Sequence, residues 1–332
     1  MITVPEPNLP AVADTWAISD ETRTMLADAI PQNTARSYRT QWTAFTAWCA
    51  TTGWQPLPAG DDVVTEYAAH LIRAGKAPGS IAVALSVIRT RHDLAGLPKP
   101  ETTAARKLLH AYRRQRADAG IHDRQAHPAV AGEIRRMLDV IGDPALADEK
   151  KLPQVLRDRV ILLLGFGMFA RRSELSGLNL SDVTETGNGL VVRLARSKTD
   201  QTARGTERVL LYAPRPDACP VRAVRDWRAF LAGRGIDSGP LLYRINRHGQ
   251  LLGRLSGQGV AVVLDRLGRA AGIGHLSGHS LRAGAATSAA EAGATSGQIE
   301  EGGGWAKGSA AVGRYIHRRD RWMYHPHANV NI

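Results

Sequence analysis

The chain has 332 residues, of which 43% are hydrophobic, so it is long enough for two globular units with separate cores. Its only cysteines, Cys49 and Cys219, lie in different regions, which argues against a disulfide framework or a cysteine metal site and favours a reducing compartment. The net charge of +12 favours a polyanionic partner, most commonly nucleic acid, although an inert basic surface would have the same composition.

The excess positive charge lies mostly in the later part of the chain. Residues 1–118 contain 13 basic and 11 acidic residues, against 30 basic and 20 acidic residues after them. The stretch that comes nearest to a membrane span, VILLLGFGMFA, is too short and is followed by Arg171 and Arg172. The first residues lack the basic start and apolar core of a secretory signal. We therefore expect no membrane association.

The N-terminal part of the sequence predicts an arm followed by a helical domain. Residues 1–18 contain several prolines and no periodicity, which predicts a flexible arm. Residues 19–118 predict about four or five helices, the first of them opening at SDETRTMLADAI, with turns such as KAPG and GLPKP between helices. The next helix carries aromatic residues at the spacing of a core face: Tyr38, Trp42, Phe45 and Trp48.

Two later helices of this domain end in basic clusters. Arg89 and Arg91 belong to one cluster, and Arg113 and Arg114 to the other, at positions that periodicity leaves on the solvent side. Either cluster could contact DNA or serve only solubility. Periodicity is then lost over residues 119–130, which predicts a linker between two domains.

The second predicted domain, 131–332, differs from the first because its sequence predicts strands as well as helices. It begins with two helices, AGEIRRMLDVIG and PQVLRDRVILLLGFGMFA, the second apolar enough for the domain centre. GLVVRLARS and ERVLLYA predict strands joined by a polar connection, as in a hairpin or a small sheet edge. Further helices are predicted in CPVRAVRDWRAFLAGRG, LSGQGVAVVLDRLGRAAG and LRAGAATSAAEAG, before an aromatic tail, DRWMYHPHANVNI. The sequence shows no internal repeat.

Four stretches of this domain hold the candidate site residues: Arg171 with Glu174, Lys198, His279 with Arg282, and Trp305 with Tyr315. The first stretch follows the apolar helix, and the second lies in the predicted hairpin. The third opens an alanine-rich helix with Ser280 as its expected cap, and the fourth surrounds a glycine-rich turn. Each stretch taken alone has an ordinary structural explanation, such as a charge at a helix end, a solvated lysine or a core aromatic residue.

Taken together, these residue types suit phosphoryl transfer without a metal. Guanidinium and imidazole groups can hold the non-bridging oxygens of a phosphodiester and stabilise the charge that grows in a pentacoordinate transition state. A tyrosine can act as the nucleophile and conserve the phosphate bond as a covalent ester. A lysine can protonate the departing 5′ oxygen.

In their order, these motifs resemble the tyrosine recombinase (phage integrase) family. The family's boxes are similar to RRSEL at Arg171, RSKT at Lys198, HSLR from His279 to Arg282, and GRYI at Tyr315. Most members of the family have a second histidine where this chain has Trp305. The phage-encoded member that the chain most resembles also has tryptophan at that position. The N-terminal segments FTAWCATTGW and AGLPKP also follow that member's order.

The resemblance implies a mainly α fold with two domains, the integrase or DNA breaking-rejoining fold. The N-terminal domain would be a helical, SAM-like core-binding domain, and the catalytic domain would be rich in α-helix with a small antiparallel β-sheet. The implied catalytic roles are the following: Tyr315 as nucleophile; Arg171, His279, Arg282 and Trp305 on the phosphate; Lys198 as acid; and Glu174 as an orienting residue. No cofactor, metal or ATP is implied.

The implied partner is double-stranded DNA with inverted repeats around a spacer. The protein would be a monomer when free and a homo-tetramer on DNA, with its tail docked on a neighbouring copy. It would act in the cytoplasm of a prokaryote, in association with the nucleoid, and would be encoded by the prokaryote, a phage or a plasmid. Further DNA contacts are expected from Arg254 and Arg266 beside those of the first domain.

The sequence leaves two points about the site and three alternative functions open. Trp305 precedes Tyr315 by one position more than is usual in the family, which predicts an extra residue in the loop between them. Tyr324 is a rival nucleophile, although the nearby proline favours a packing role in the tail. The same residues would also serve a telomere resolvase or a type IB topoisomerase, and a non-catalytic DNA-binding relative would keep the fold alone.

Overall fold

The computed structural model describes residues 32–121, 126–194 and 205–315, together with residues 19, 21, 22 and 25. The chain divides into two compact units, Met1–Arg124 and Gln125–Ile332, each described by itself below. Helices dominate both units, and the strands are short and antiparallel. The mainly α fold class with small antiparallel sheets is confirmed. None of the helices in the described ranges is long and apolar enough to cross a membrane.

The described part of the first unit is a helical bundle. Its helices are α1 (Gln32–Thr52), α2 (Asp61–Arg73), α3 (Pro78–Leu94) and α4 (Thr103–Asp118). They form where the periodicity predicted them, and glycines with positive φ follow α1 and α2 at Gly53 and Gly75. The predicted arm, 1–18, and most of the helix predicted at SDETRTMLADAI lie outside the described residues.

The aromatic face of α1 forms the core of this unit. Phe45 is fully buried, with its ring centroid 4.9 Å from that of Tyr67 on α2 in an edge-on arrangement. Trp42 and Trp48 pack beside Phe45, with centroid distances of 5.6 and 6.2 Å. Burial of one such side chain stabilises the fold by about 1.5–3 kcal/mol, so the predicted spacing explains how α1 packs on α2.

The second unit is built around one apolar helix. Its helices are α5 (Ala131–Ile141), α6 (Leu152–Gly167), α7 (Arg172–Gly177), α8 (Pro220–Ala232), α9 (Gly257–Ala270), α10 (Ser280–Glu291), α11 (Ser296–Gly303) and α12, which the structure describes over 310–315. On α6, Val160, Ile161, Leu162 and Leu164 are fully buried. The predicted central position of this helix is therefore confirmed.

Two small sheets accompany these helices. The first has the order β1 (Val183–Thr186), β2 (Gly189–Leu194) and β3 (Thr206–Leu211), all antiparallel. The second pairs β4 (Tyr243–Ile245) with β5 (Leu251–Arg254). Strands β2 and β3 confirm the two predicted strands. Strands β1, β4 and β5 were not predicted, because segments of three or four residues carry too little periodicity.

Candidate active site

Arg171 lies directly before α7 and is held there by Glu174. One carboxylate oxygen of Glu174 accepts the backbone N–H of Arg171 at 2.8 Å, and the other accepts the Arg171 guanidinium. Glu174 is only 8% exposed, so it orients Arg171 from a buried position. A guanidinium has five N–H donors, so this pairing leaves others for a ligand.

The neighbouring Arg172 is directed to a different group of residues. Its guanidinium donates to the side-chain oxygen of Gln258 at 3.2 Å, and its methylene stem packs against Gly278, where a Cβ atom would collide with it. Arg171, by contrast, lies close enough to Arg282 to lower the pKa of that residue. The structure therefore groups Arg171, and not Arg172, with the other candidate residues.

Arg282 is the most enclosed of the candidate residues, with 4% of its surface exposed. Its Nη1 donates to the backbone oxygens of Phe169 at 2.7 Å and Gly303 at 2.9 Å. Its Nη2 is buried and has no hydrogen-bond partner among the residues that the structure describes. Burial above all, and then the charge of Arg171, lower the pKa of Arg282 to about 10. Arg282 is thus a buried cation with a donor to spare.

Close packing fixes the position of Arg282 on α10. A Cβ atom at Gly284 would overlap the backbone of Ala129, so only glycine allows the two segments to approach this closely. The backbone N–H of Ala129 also donates to the oxygen of Ser280 at 3.0 Å. The alanine-rich sequence of α10 is therefore a buried support for Arg282.

The expectation that Ser280 caps α10 is wrong. His279 occupies the cap position, with no side-chain capping bond, and Ser280 lies inside the helix. The Ser280 hydroxyl instead accepts the backbone N–H of Ser277 at 2.9 Å. His279 is exposed at the start of α10, three residues before Arg282, and its backbone N–H donates to the Ser277 hydroxyl at 3.2 Å.

Trp305 covers one face of the Arg282 guanidinium. The Arg282 Cζ atom lies 3.5 Å from the centre of the indole, which is cation–π geometry. The centroid of Phe169 lies 6.0 Å from that of Trp305, with the rings nearly perpendicular. Phe169 is the only non-glycine residue with positive φ in the described ranges, and it stands two residues before Arg171. This unusual backbone lets Phe169 present both its carbonyl to Arg282 and its ring to Trp305.

Tyr315 lies next to Trp305, with 6.3 Å between the ring centroids. Both rings are partly buried against an apolar cluster formed by Ala286, Ala290, Ile299 and Val312. The loop between them contains a reverse turn in which the N–H of Ser309 donates to Ala306 at 3.1 Å and to the buried carboxylate of Glu300 at 2.8 Å. The loop before Tyr315 therefore contains an ordered turn, and the extra residue that the resemblance predicts there stays a prediction.

Arg208 on β3 is a buried cation of this region that no sequence motif indicated. It is 8% exposed and close enough to Arg282 to lower the pKa of that residue. In β3, Arg208 and Leu210 point inward while Val209 and Leu211 are exposed. Apolar residues occupy both faces of the strand, so alternation alone did not show which face is buried.

Two sequence predictions fall on residues that the structure does not describe. Lys198 lies between β2 and β3, within 195–204, and Tyr324 lies after 315. In the part of the chain that is described, no group of three or more His, Cys, Asp or Glu residues is placed to hold a metal ion.

Two of the candidate DNA contacts of the first unit, Arg89 and Arg113, line a basic groove between α3 and α4. This groove has a volume of about 460 Å³, and its basic lining residues are Arg89, Lys99, Arg106, His110 and Arg113. Arg91 packs over Trp42, with its Cζ 5.5 Å from the ring centre, and Arg114 is exposed on α4. Only Asp93 adds a negative charge to the groove lining, and it pairs with Lys99 at 2.7 Å.

Arg254 and Arg266, the two candidate DNA contacts of the second unit, form hydrogen bonds or ion pairs within that unit. One nitrogen of Arg254 lies 2.9–3.1 Å from the backbone oxygens of Ser176, Gly177 and Leu178. Arg266 forms an ion pair with the buried carboxylate of Asp158. Both residues are exposed despite these contacts, so Arg254 and Arg266 stay predicted DNA contacts.

A model of the phage integrase family matches residues 133–321 of the chain. An integrase/recombinase XerD homolog of Selenomonas ruminantium is 33% identical over 266 residues, which cover 78% of this chain and 74% of that protein. Recombinase Cre of Escherichia phage P1 is 26% identical over 322 residues, which cover 90% of this chain and 89% of that protein.

Among solved structures, a lambda integrase dimer bound to a COC′ core site is similar in fold. It matches with a TM-score of 0.56 at 16% identity, over 91% of this chain and 77% of that chain. At this identity, the match supports the shared fold alone.

Proposed function

Because this chain belongs to the phage integrase family of tyrosine recombinases, we propose that it is a site-specific DNA recombinase. In the proposed reaction, the Tyr315 hydroxyl attacks the scissile phosphate, so that a 3′-phosphotyrosyl bond forms and a 5′ hydroxyl leaves. The 5′ hydroxyl of a partner strand then attacks this ester, and Tyr315 is released. One phosphate ester replaces another in each step, so no ATP is required.

The observation that carries this proposal is the unpartnered Nη2 of Arg282. Within the described part of the chain, this buried donor lacks a hydrogen-bond acceptor. A buried donor without an acceptor destabilises a fold by about 1–3 kcal/mol, so a ligand that supplies the acceptor is the simplest reason to retain it. A non-bridging phosphate oxygen would supply both the acceptor and the missing negative charge.

The other candidate residues have distinct proposed roles around that phosphate. Arg171, oriented by Glu174, would bind a second non-bridging oxygen. Trp305 shields one face of Arg282 from water, which strengthens the interaction of the guanidinium with an anion. His279 is proposed to donate to the phosphate, and Lys198 to protonate the leaving 5′ oxygen, from their positions in the family motifs.

The first unit is proposed to bind one face of the DNA duplex. The groove between α3 and α4 presents four guanidinium or ammonium groups and one acidic residue, a balance suited to phosphates. The related lambda integrase was solved as a dimer bound to a core site. We propose that this chain binds inverted DNA repeats, that four copies assemble on two sites, and that the C-terminal tail docks on a neighbouring copy.

Trapping the covalent intermediate tests the proposed function. The purified protein would be incubated with duplex fragments from both flanks of its gene, each nicked so that a short cleaved strand diffuses away. We expect an adduct that resists denaturant and that maps by mass spectrometry to the Tyr315 peptide. Tyr315→Phe should form no adduct, while Tyr324→Phe should form as much as the wild type. Adduct formation by Tyr315→Phe would refute the assignment.

The same fragments separate the proposed function from its alternatives. A recombinase joins strands of two differently labelled duplexes, whereas a topoisomerase relaxes a supercoiled circle that carries a single site. A telomere resolvase would instead convert one site into two hairpin ends. A non-catalytic relative would bind these fragments with no adduct, and Tyr315→Phe would change none of its properties.

A further inference from the structure

We propose that Arg208 is a positioning residue that holds Trp305 against Arg282 and so completes the phosphate site. This inference rests on the proposed function, because it assigns Arg208 to the same site. Arg208 lies on β3, outside the four stretches that the sequence motifs define. It would act through the turn that carries Trp305 and would not bind the phosphate directly.

The contacts of Arg208 end at the turn that leads to Trp305. Its Nη1 donates to the backbone oxygen of Glu301 in α11 at 3.3 Å. Its Nη2 stands against Gly304, where a Cβ atom would overlap it. Gly304 has a φ of 62° and directly precedes Trp305. The guanidinium therefore fixes both the last turn of α11 and the residue before the indole.

The turn before Trp305 needs contacts from another element because its own glycines allow many backbone conformations. Gly302, Gly303 and Gly304 follow one another and carry no side chains that could fix their backbone. Yet the oxygen of Gly303 must stay 2.9 Å from Arg282 Nη1, and the Trp305 ring must stay over the same guanidinium. Arg208, on the neighbouring sheet, packs against this turn and restricts its backbone.

The charge of Arg208 indicates that its role goes beyond supporting the fold. Within the described residues, the Glu174 carboxylate raises the pKa of both Arg208 and Arg282, and it also pairs with Arg171. Burial lowers the pKa of Arg208, Glu174 opposes this effect, and Arg171 adds to it. A third guanidinium so close to two others is unfavourable in the free protein, since like charges repel in a medium of low polarity. The negative charge of a bound phosphate would turn this repulsion among the guanidiniums into a net attraction for the ligand.

The chain offers a matched control in Arg159. Arg159 is also 8% exposed, and it binds two backbone oxygens, those of Gly142 at 3.5 Å and Asp217 at 2.5 Å. Arg208 likewise binds two, those of Glu301 at 3.3 Å and Glu207 at 3.5 Å. Its contacts join α6 to segments that carry none of the candidate site residues. Replacement of either arginine by methionine removes a buried charge and two hydrogen bonds, so the comparison isolates the position of the guanidinium.

The test combines two measurements on Arg208→Met, Arg208→Lys and Arg159→Met. The first is the single-turnover cleavage rate at saturating DNA, on a fragment that the wild type cleaves. The second is the near-ultraviolet circular dichroism of Trp305, obtained as the difference between each protein and the same protein with Trp305→Phe. Both are recorded below the unfolding transition, so that only folded molecules contribute.

We expect Arg208→Met to cleave about 10²-fold more slowly than the wild type, as for loss of one preorganised group in a phosphate site. DNA affinity should change by less than about twofold, because the residue does not contact the ligand. The Trp305 signal should collapse in Arg208→Met and recover in part in Arg208→Lys. Arg159→Met should keep both the cleavage rate and the Trp305 signal.

A pair of glycine variants provides a second route if Arg208→Met does not fold. Gly304 and Gly308 both have positive φ, but only at Gly304 would a Cβ atom meet Arg208. Gly304→Ala should therefore reduce the cleavage rate and the Trp305 signal much more than Gly308→Ala does.

An unchanged Trp305 signal in Arg208→Met would overturn the inference, as would equal losses of cleavage rate in Arg208→Met and Arg159→Met. For the glycine pair, equal effects of the two substitutions would do the same. If the wild type itself cleaves no DNA, the proposed function fails, and the Trp305 signal still decides whether Arg208 positions the indole.

Discussion

Two clusters of arginine residues in the second unit, each around a buried carboxylate, differ in how well their charges are paired. In the first, Asp158 is 2% exposed and pairs with Arg157 at 2.7 Å and with Arg266. The remaining nitrogen of Arg157 donates to the oxygen of Tyr243 at 3.2 Å, so all three of its nitrogens are bonded. Burial raises the pKa of Asp158, and the two guanidiniums oppose that rise. This cluster is complete without a ligand.

The second cluster, which contains Arg171, Glu174, Arg208 and Arg282, is incomplete. Three guanidiniums surround one carboxylate, and the buried Nη2 of Arg282 lacks a partner among the described residues. The difference teaches that burial of arginine does not by itself mark a binding site. A donor without an acceptor, together with an excess of positive charge, does mark one.

The largest expected effect on cleavage is that of Arg282→Met, a substitution in the cluster that lacks a full set of partners. The substitution keeps most of the side-chain volume but removes the donor that would hold the phosphate. We expect single-turnover cleavage to fall about 10³-fold, the scale of losing one strong electrostatic contact to the transition state. Arg157→Met, the matched change in the complete cluster, should cleave at the wild-type rate per folded molecule. Cleavage by Arg282→Met within tenfold of wild type would contradict this account.

The next effect concerns stability and falls on the complete cluster. Asp158→Asn leaves the buried guanidinium of Arg157 without its counter-charge, which should lower the free energy of unfolding by about 3 kcal/mol. Urea unfolding of the second unit measures this loss. The same molecules should cleave DNA at the wild-type rate once the folded fraction is taken into account. A change below 1 kcal/mol would show that the cluster contributes little to the fold.

A smaller effect is expected from Glu174→Gln, which keeps an acceptor for the Arg171 backbone but removes the charge that orients its guanidinium. Loss of a charged hydrogen bond of about 1.5 kcal/mol corresponds to roughly tenfold slower cleavage. Glu133 is a matched control, because it also accepts a backbone N–H at a helix start, from Val130 at 3.3 Å. Cleavage that is equally slow in Glu133→Gln would show that the effect is only structural.

The smallest effect concerns the basic groove of the first unit. Arg113→Ala should weaken DNA binding a few-fold on every sequence and reduce the slope of log affinity against log salt by about 1. Fluorescence anisotropy over a salt series gives this slope. Arg73 lies outside the groove, pairs only loosely with Glu66 at 3.9 Å, and provides the control. Equal slopes for wild type and Arg113→Ala would exclude Arg113 from phosphate contact.

The helices were predictable because their signal is long and repeated. The aromatic spacing of α1 and the apolar run of α6 each extend over several turns, so single exceptions did not obscure the period. Strand β1 has four residues, of which only Val183 is buried, and no periodicity can be seen in so short a segment. Ser280 was assigned as a cap from residue type alone, but the helix already includes Ser280, so His279 stands at the cap position, with helical dihedrals that are not those of a typical cap.

The members of the candidate site were predictable from family motifs, but their arrangement was not. No motif indicates that Trp305 lies over Arg282, because this depends on the dihedrals of three glycines and on the positive φ of Phe169. Arg208 was missed for a related reason. Its importance comes from burial beside other cations, and a sequence pattern shows burial only when one face of a strand is clearly apolar.

The central claim is that the excess charge around Arg282 exists to bind a phosphate anion. The most direct test compares cleavage of a normal duplex with cleavage of one whose scissile phosphate is a methylphosphonate, which carries no negative charge. The wild type should prefer the phosphate, because its cations lose their partner in the analogue. Arg282→Met should lose this preference and cleave the methylphosphonate faster, relative to phosphate, than the wild type does. The same preference in both proteins would contradict the claim.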